Sequence, residues 1–383
     1  MPAVVPVLLL TLALLGNAGV PLGITTGQIS LAATSMFSGA GLGARNIFYA
    51  QSRIWLFYVP SYNDLGIYDF YYKTSLDGVN WSPPRNLGLP GEYDGGALTH
   101  DDGHVYIALA TTGSTTYLAY GGLYPNGTVV MNDDGGRLKL AAYEGGLGFG
   151  VRMSVGVSSE GHVFIAYQAP LECGLCVVDS AVAPYTSWTN SIRVLRPTTE
   201  YPVLHSYRPG QMLLLSGNFT SVWDNGWTSP TTFSGIGGGQ VLYINGKIYL
   251  FGGNGHCQVP PLQGPGGCLG FYTFDGSSWS AVHMTNVRGY APMTVTYDPQ
   301  GDRFVIFAPS DYFGTNIDQW SGRVNADYYQ NTTIASGRTY MTAIASFEIA
   351  IPSGIKIGTV GMAWSEGNFP SYRVNTYFAQ QRP

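Results

Sequence analysis

An all-β fold, a propeller of seven four-stranded blades, is what this sequence predicts, on three observations. Glycine is heavily used (52 residues), tyrosine is plentiful (27) and only 11% of residues are charged, a composition that suits short strands joined by tight turns rather than long helices or disorder. A hairpin signature recurs, in which an apolar strand, a polar turn and a second apolar strand follow one another. Its turn glycines are Gly103, Gly161, Gly210, Gly246, Gly301 and Gly354, separated by 58, 49, 36, 55 and 53 residues. Spacings near fifty between strand-sized pieces mark a propeller. Finally, a second set of five turns follows the hairpins, and four of the five lead into a tryptophan.

Taken in order, the chain opens with an uncharged apolar run over residues 4–22 and small residues near Asn17-Ala18-Gly19. Residues 1–26 read as a secretory signal peptide or as a retained membrane anchor, since the run approaches the ~20 residues that span a bilayer. Both readings put residues 27–383, the propeller domain, in a secreted or cell- or particle-surface location. Sequons at Asn80, Asn126, Asn218 and Asn331 are compatible with that side of a membrane. Residues 28–37 form a spare strand. The first hairpin, NIFYAQSRIWLFYV, turns without glycine around Ser52, 51 residues before Gly103. The hairpins ALTHDDGHVYIALA, VGVSSEGHVFIAYQ, LHSYRPGQMLLLS, VLYINGKIYLFGG, VTYDPQGDRFVIFA and FEIAIPSGIKIGTVGMAW follow. The last unit, from Tyr340, offers only three strands, so pairing the spare strand into it closes the ring and removes an exposed sheet edge. Six blades is the alternative, because the unit after Gly210 is short.

The second set of turns begins with Asp77-Gly78 leading to Trp81. It continues with Pro125-Asn126-Gly127, Tyr185 to Trp188, Asp224-Asn225-Gly226-Trp227 and Asp275-Gly276 to Trp279. An aspartate next to a glycine supplies side-chain acceptors and positive φ for a tight turn, and the tryptophan supplies an apolar plug. The pattern Ser75-x-Asp77-Gly78-x-x-Trp81 resembles the Asp-box of sialidase-like β-propellers, where it closes the turn between the third and fourth strands of a blade. KIYLFGG followed by YTFDGSSWSAV resembles a kelch repeat.

Net charge is −5 without a Lys/Arg cluster, which excludes a nucleic-acid footprint. The six histidines form no H-E-x-x-H motif, and His104 and His162 hold equivalent hairpin positions, so no metal or other cofactor is expected. Neither a phosphate loop nor a G-x-S-x-G elbow is present. Cys173 with Cys176 and Cys257 with Cys268 form two local pairs, read beside an export signal as two disulfides. A four-thiolate metal site and a C-x-x-C redox motif are the rivals.

In a propeller, the first-to-second and third-to-fourth turns share one face; the second-to-third loops and the inter-blade connections share the other. Here the second set is long and varied, and loops on a rigid scaffold are where binding resides. That face is expected to gather Arg45, Arg152, Arg288 and Arg338 as carboxylate clamps, with Tyr62, Tyr93, Asp311 and Tyr312 as further binding residues. The resemblance to sialidases implies more. Arg45-Asn46-Ile47 stands where that family carries its Arg-Ile-Pro signature, at the entrance of the first blade. A hydrolase of acidic sugars would use Tyr290 or Tyr340 as nucleophile, paired with a glutamate such as Glu144, and Asp94 or Asp64 as acid. The leading expectation is recognition of a glycan or a surface protein through the loop-rich face. The sialidase-like hydrolase and a self-assembling structural subunit of an envelope, pilus or surface layer are the alternatives.

Overall fold

The computed structural model describes residues 23–30, 45–58, 70–78, 80–89, 95–110, 116–132, 153–169, 174–194, 202–232, 239–254, 268–288, 293–310, 316–336, 341–346, 348–350, 360–366 and 373–380. They form seven four-stranded antiparallel sheets. The first sheet holds β2 (Ile47–Ala50), β3 (Arg53–Tyr58), β4 (Tyr71–Ser75) and β5 (Arg85–Asn86). The second holds β6 (Gly95–His100), β7 (His104–Ala110), β8 (Thr116–Leu123) and β9 (Val129–Met131), and the third β10 (Met153–Val157), β11 (Val163–Ala169), β12 (Gly174–Ser180) and β13 (Thr189–Val194). The fourth contains β14 (Val203–Ser206), β15 (Met212–Ser216), β16 (Phe219–Trp223) and β17 (Thr231–Thr232). The fifth contains β18 (Gln240–Ile244), β19 (Lys247–Asn254), β20 (Cys268–Phe274) and β21 (His283–Arg288), and the sixth β22 (Thr294–Asp298), β23 (Arg303–Pro309), β24 (Ile317–Arg323) and β25 (Gln330–Ala335). The seventh runs β26 (Met341–Ser346), β27 (Val360–Glu366), β28 (Arg373–Gln380) and then β1 (Gly23–Ser30), with Gly23 opposite Gln380 and Ser30 opposite Val374.

The hairpin strands read as unbroken apolar runs because both faces of each sheet are buried. On β7, Val105, Ile107 and Leu109 enter the core shared with the first sheet, while Tyr106 and Ala108 enter the core shared with the third. The same division repeats around the ring: one cluster joins sheets three and four, one joins four and five, and one joins five and six. A fully buried Leu, Ile or Phe side chain contributes about 1.5–3 kcal/mol, so these inter-sheet cores hold the fold together.

The first strands of successive sheets are neighbours around the axis, and β2 lies beside β26. Close approach leaves room there mainly for small or hydrogen-bonding side chains. Gln240 Nε2 donates to the Val295 carbonyl at 2.7 Å while its Oε1 accepts from the Val295 amide. Ser346 Oγ lies 2.8 Å from Thr294 Oγ1 and 3.0 Å from Thr296 Oγ1, and Ser154 Oγ accepts from the Leu204 amide at 3.0 Å. These side chains bridge first strands that share no backbone ladder. Gly156 is needed for the same reason, because an added Cβ would lie 2.8 Å from Met212 Sδ and 2.9 Å from Leu204 Cβ in the next sheet.

The second-set turns obey their residue types. Ser75 Oγ accepts from the Gly78 amide at 2.8 Å, Asp77 Oδ1 accepts from the Asn80 amide at 2.8 Å, and Trp81 Nε1 donates to the Gly78 carbonyl at 3.1 Å. Gly78 has φ 75°, the left-handed region that a β-carbon disfavours. At the equivalent turn of the fifth sheet, the amides of Ser278 and Ser277 hold the Asp275 carboxyl down to about 2.

Two expectations need correcting. The N-terminal strand begins at Gly23, earlier than expected, and runs to Ser30, since the β-branched run Ile24-Thr25-Thr26 supplies strand propensity; of the expected strand 28–37, residues 31–37 lie outside the described residues. The seventh hairpin also begins earlier than FEIAI. Its first strand ends at Ser346, and the Glu348 carbonyl and Ala350 amide instead bond the backbone of Tyr297 at the end of β22. Gly354 and residues 1–22 lie outside the described residues. Among the described residues, no helix is long and apolar enough to cross a membrane.

Candidate functional site

Antiparallel order fixes which connections share an end of the ring. Turns between first and second strands touch from sheet to sheet: the Gln51 amide donates to Asp102 Oδ1 at 3.2 Å, and the Gly210 amide to Ser159 Oγ at 3.0 Å. A third-to-fourth turn joins them, since Arg208 Nη2 donates to the Asp275 carbonyl at 2.9 Å. The opposite ends of the strands form a rim from which every second-to-third and inter-sheet connection departs.

The sequence positions expected to bind or react fall in those connections. Tyr62 and Asp64 lie between β3 and β4, Tyr93 and Asp94 between β5 and β6, and Glu144 and Arg152 between β9 and β10. Tyr290 lies between β21 and β22, Asp311 and Tyr312 between β23 and β24, and Arg338 and Tyr340 between β25 and β26. These residues, together with Cys173 and Cys257, lie outside the described residues. Cys176 and Cys268 are buried near the rim ends of β12 and β20, and no described cysteine is free. Arg288 ends β21, the outermost strand of its sheet, opposite Cys268, and its Nε is buried without a hydrogen-bond partner.

Arg45 enters the axis just before β2. It was expected among the substrate clamps, but its Nε donates to Glu348 Oε1 at 2.6 Å and its Nη1 to Thr99 Oγ1 at 3.1 Å. The other carboxylate oxygen, Oε2, lies 3.7 Å from His205 Nε2. His205 Nδ1 is 2.6 Å from the Ser206 carbonyl, which can only accept, so Nδ1 carries the proton. Nε2 is left buried with no hydrogen-bond partner, since 3.7 Å is too long for one. Burial pushes the Glu348 carboxyl up, but Arg45, then His205 and His100, pull it further down, and the net lies well below the usual carboxylate range. His100, stacked on Phe48 at 3.8 Å, is pushed below its ordinary value by burial against the upward pull of Glu348.

This cluster draws on the first, second, fourth and seventh sheets. At its edge is a cavity of 370 Å³ bounded by Glu348, His205, the β14–β15 turn and Tyr243. Tyr207 is almost wholly buried there, its hydroxyl without a partner, with Arg208 Cζ 4.9 Å from its ring centroid and the edge of Tyr243 5.5 Å away. The cavity belongs to the short-turn end, opposite the rim where function was expected. Sequence reasoning missed His205, Tyr207 and Glu348 because no local motif joins them; the one hint was an acid inside the apolar run FEIAI. Among the described residues, no group of three or more His, Cys, Asp or Glu is placed to hold a metal ion.

No protein-family model matches the chain, and curated proteins give no match by sequence. Solved structures do match. An ulvan lyase of polysaccharide lyase family PL25, bound to -[GlcA(1-4)Rha3S]-, aligns with TM-score 0.57 and 11% identity over 93% of this chain and 96% of its own. Polysaccharide lyase Uly1 aligns with TM-score 0.54 and 9% identity, covering 95% of this chain and 100% of its own. The sialidase of Trypanosoma rangeli aligns with TM-score 0.50 and 10% identity over 93% of this chain, which spans 59% of the sialidase. The chain therefore has the β-propeller fold of the sialidase-like kind. At such identities the likeness is one of fold.

Proposed function

We propose that this protein is a seven-bladed propeller, closed by the β1–β28 pairing and displayed outside the cytoplasm, that recognises an acidic glycan on its rim. One observation supports the reading: Tyr62, Asp64, Tyr93, Asp94, Glu144, Arg152, Tyr290, Asp311, Tyr312, Arg338 and Tyr340 fall, in chain order, between strands whose connections leave from the same end of the ring. Arginines clamp carboxylates and sulfates by paired hydrogen bonds, and tyrosine faces pack on sugar rings. Two propellers of similar size and matching fold are polysaccharide lyases, one of them holding a glucuronate-bearing sugar, which supports an acidic polysaccharide as the class of ligand. Two rim disulfides, Cys173–Cys176 and Cys257–Cys268, would stiffen that surface.

The hydrolase reading assigns Arg45 to a substrate carboxylate, whereas its guanidinium is already committed to Glu348 and Thr99. Recognition is therefore the reading put forward. Titration calorimetry of the full chain with uronate or sulfated oligosaccharides tests it. Saturable binding that weakens with salt, and about tenfold in Arg152→Ala or Arg338→Ala, is expected. Equal binding of neutral and acidic oligosaccharides, or none, would overturn it. Turnover of the sugar in the same samples would convert the binder into an enzyme.

A further inference from the structure

Strand direction fixes where the chain enters the ring. In the seventh sheet, β26 ends at Ser346 and β27 begins at Val360, so these two positions belong to the short-turn end, like every first-to-second connection. β28 starts at the rim, with Arg373 opposite Glu366, and returns to the short-turn end, with Ala379 opposite Val360. β1 lies antiparallel to β28, and Gly23 faces Gln380. The chain therefore enters β1 at the short-turn end and leaves it, at Ser30, at the rim. The uncharged apolar run over residues 4–22 ends immediately before Gly23. Its length approaches the ~20 residues that cross a hydrocarbon core. With no spacer between run and strand, a bilayer that holds the run lies directly against the end of the ring where β1 begins.

The surface at that end suits a headgroup layer. Leu76, Tyr124 and Val182, in the third-to-fourth connections of sheets one, two and three, and Ile349 near the axis are exposed large apolar side chains. Tyrosine with an apolar ring and a polar tip favours the membrane–water interface. Exposed Asp102, Glu160, Asp224 and Asp275 stand among the same short turns. Charged side chains are costly in hydrocarbon, so this face rests on the headgroups and does not sink below them. Its acids also disfavour an anionic surface, which leaves a zwitterionic or neutral lipid layer as the fitting one.

From this geometry we infer that the protein stands on a membrane with its short-turn end against the lipid headgroups and its rim turned away, residues 4–22 serving as a retained anchor. The inference rests on the display outside the cytoplasm put forward above, and it adds the orientation. At 3.2–3.4 Å of rise per residue, β28 carries the rim about 25 Å above the headgroups, where a glycan can reach it.

The experiment places one fluorophore at either end of the full chain, through Val182→Cys at the short-turn end or Asn218→Cys in the β15–β16 turn at the rim, both exposed positions. Each labelled chain is reconstituted into phosphatidylcholine vesicles that carry a headgroup-coupled quencher. The label at 182 should lose most of its fluorescence and the label at 218 little. Equal loss at both, greater loss at 218, or none at either overturns the inference. A chain lacking residues 1–22 keeps β1, so it should leave the vesicles with an unchanged melting temperature; continued vesicle binding would show that the run is not the anchor and overturn the inference. In cells that produce the full chain, recovery in the cytoplasm refutes display itself. Recovery outside the cell in soluble form, without residues 1–22, overturns the anchored orientation alone.

Discussion

Glu348 and Arg45 lie 303 positions apart in the chain and meet at 2.6 Å on the axis. The Glu348 side chain keeps 33% of its surface exposed, so the pair is partly screened. Glu348→Ala should therefore cost about 1–2 kcal/mol in urea unfolding, less than the 3–5 typical of a fully buried pair losing one partner. The pH dependence has a definite sign. Because the folded carboxyl is depressed, its contribution is complete above the ordinary carboxylate pKa of about 4.3 and is lost as pH falls below it. The folded His100 is depressed as well, so stability also declines as pH drops through about 6.5, where the unfolded imidazole takes up its proton. Denaturation midpoints measured from pH 8 to pH 3 should fall in these two stages. Glu348→Gln should keep the first stage and lose the second, and an unaltered second stage would contradict the assignment.

At the scale of elements, close packing between sheets is testable at Gly156. Gly156→Ala pushes a methyl group against Met212 and Leu204 and should cost about 1–3 kcal/mol, with part of the loss recovered in combination with Met212→Ala. Additive losses in the double-mutant cycle would argue that the sheets do not meet there. Gly161, with φ 79° and nothing within 4 Å of an added Cβ, should lose only about 1 kcal/mol on substitution by Ala, from backbone strain alone. Much of this level was legible in the sequence. The hairpins with turns at Ser52, Gly103, Gly161, Gly210, Gly246 and Gly301 announce themselves because burial on both faces makes each strand a continuous apolar run. Turns leading to Trp81, Trp227 and Trp279 are legible because aspartate, glycine and tryptophan have local duties there. FEIAI misled because apolar composition cannot distinguish a strand of its own sheet from a segment that crosses to Tyr297. The axial cluster was illegible for a different reason: ring geometry, rather than spacing, brings Arg45, His205 and Glu348 together.

For the whole molecule, β1 is the outermost strand of the last sheet, paired along β28 from Gly23–Gln380 to Ser30–Val374. Removing residues up to Ser30 should bare the edge of β28, lower the melting temperature and promote self-association, as unpaired edges do. A shortened chain as stable and monomeric as the original would refute the role of β1 as the clasp. Glycan recognition on the rim is put to the test by hydrogen–deuterium exchange of the full chain with and without a saturating acidic oligosaccharide. Protection is expected in peptides covering residues 59–69, 90–94, 133–152, 289–292 and 336–340, with the short turns at 51–52, 101–103 and 208–210 unchanged. Protection confined to those short turns, or none at saturating sugar, would contradict it.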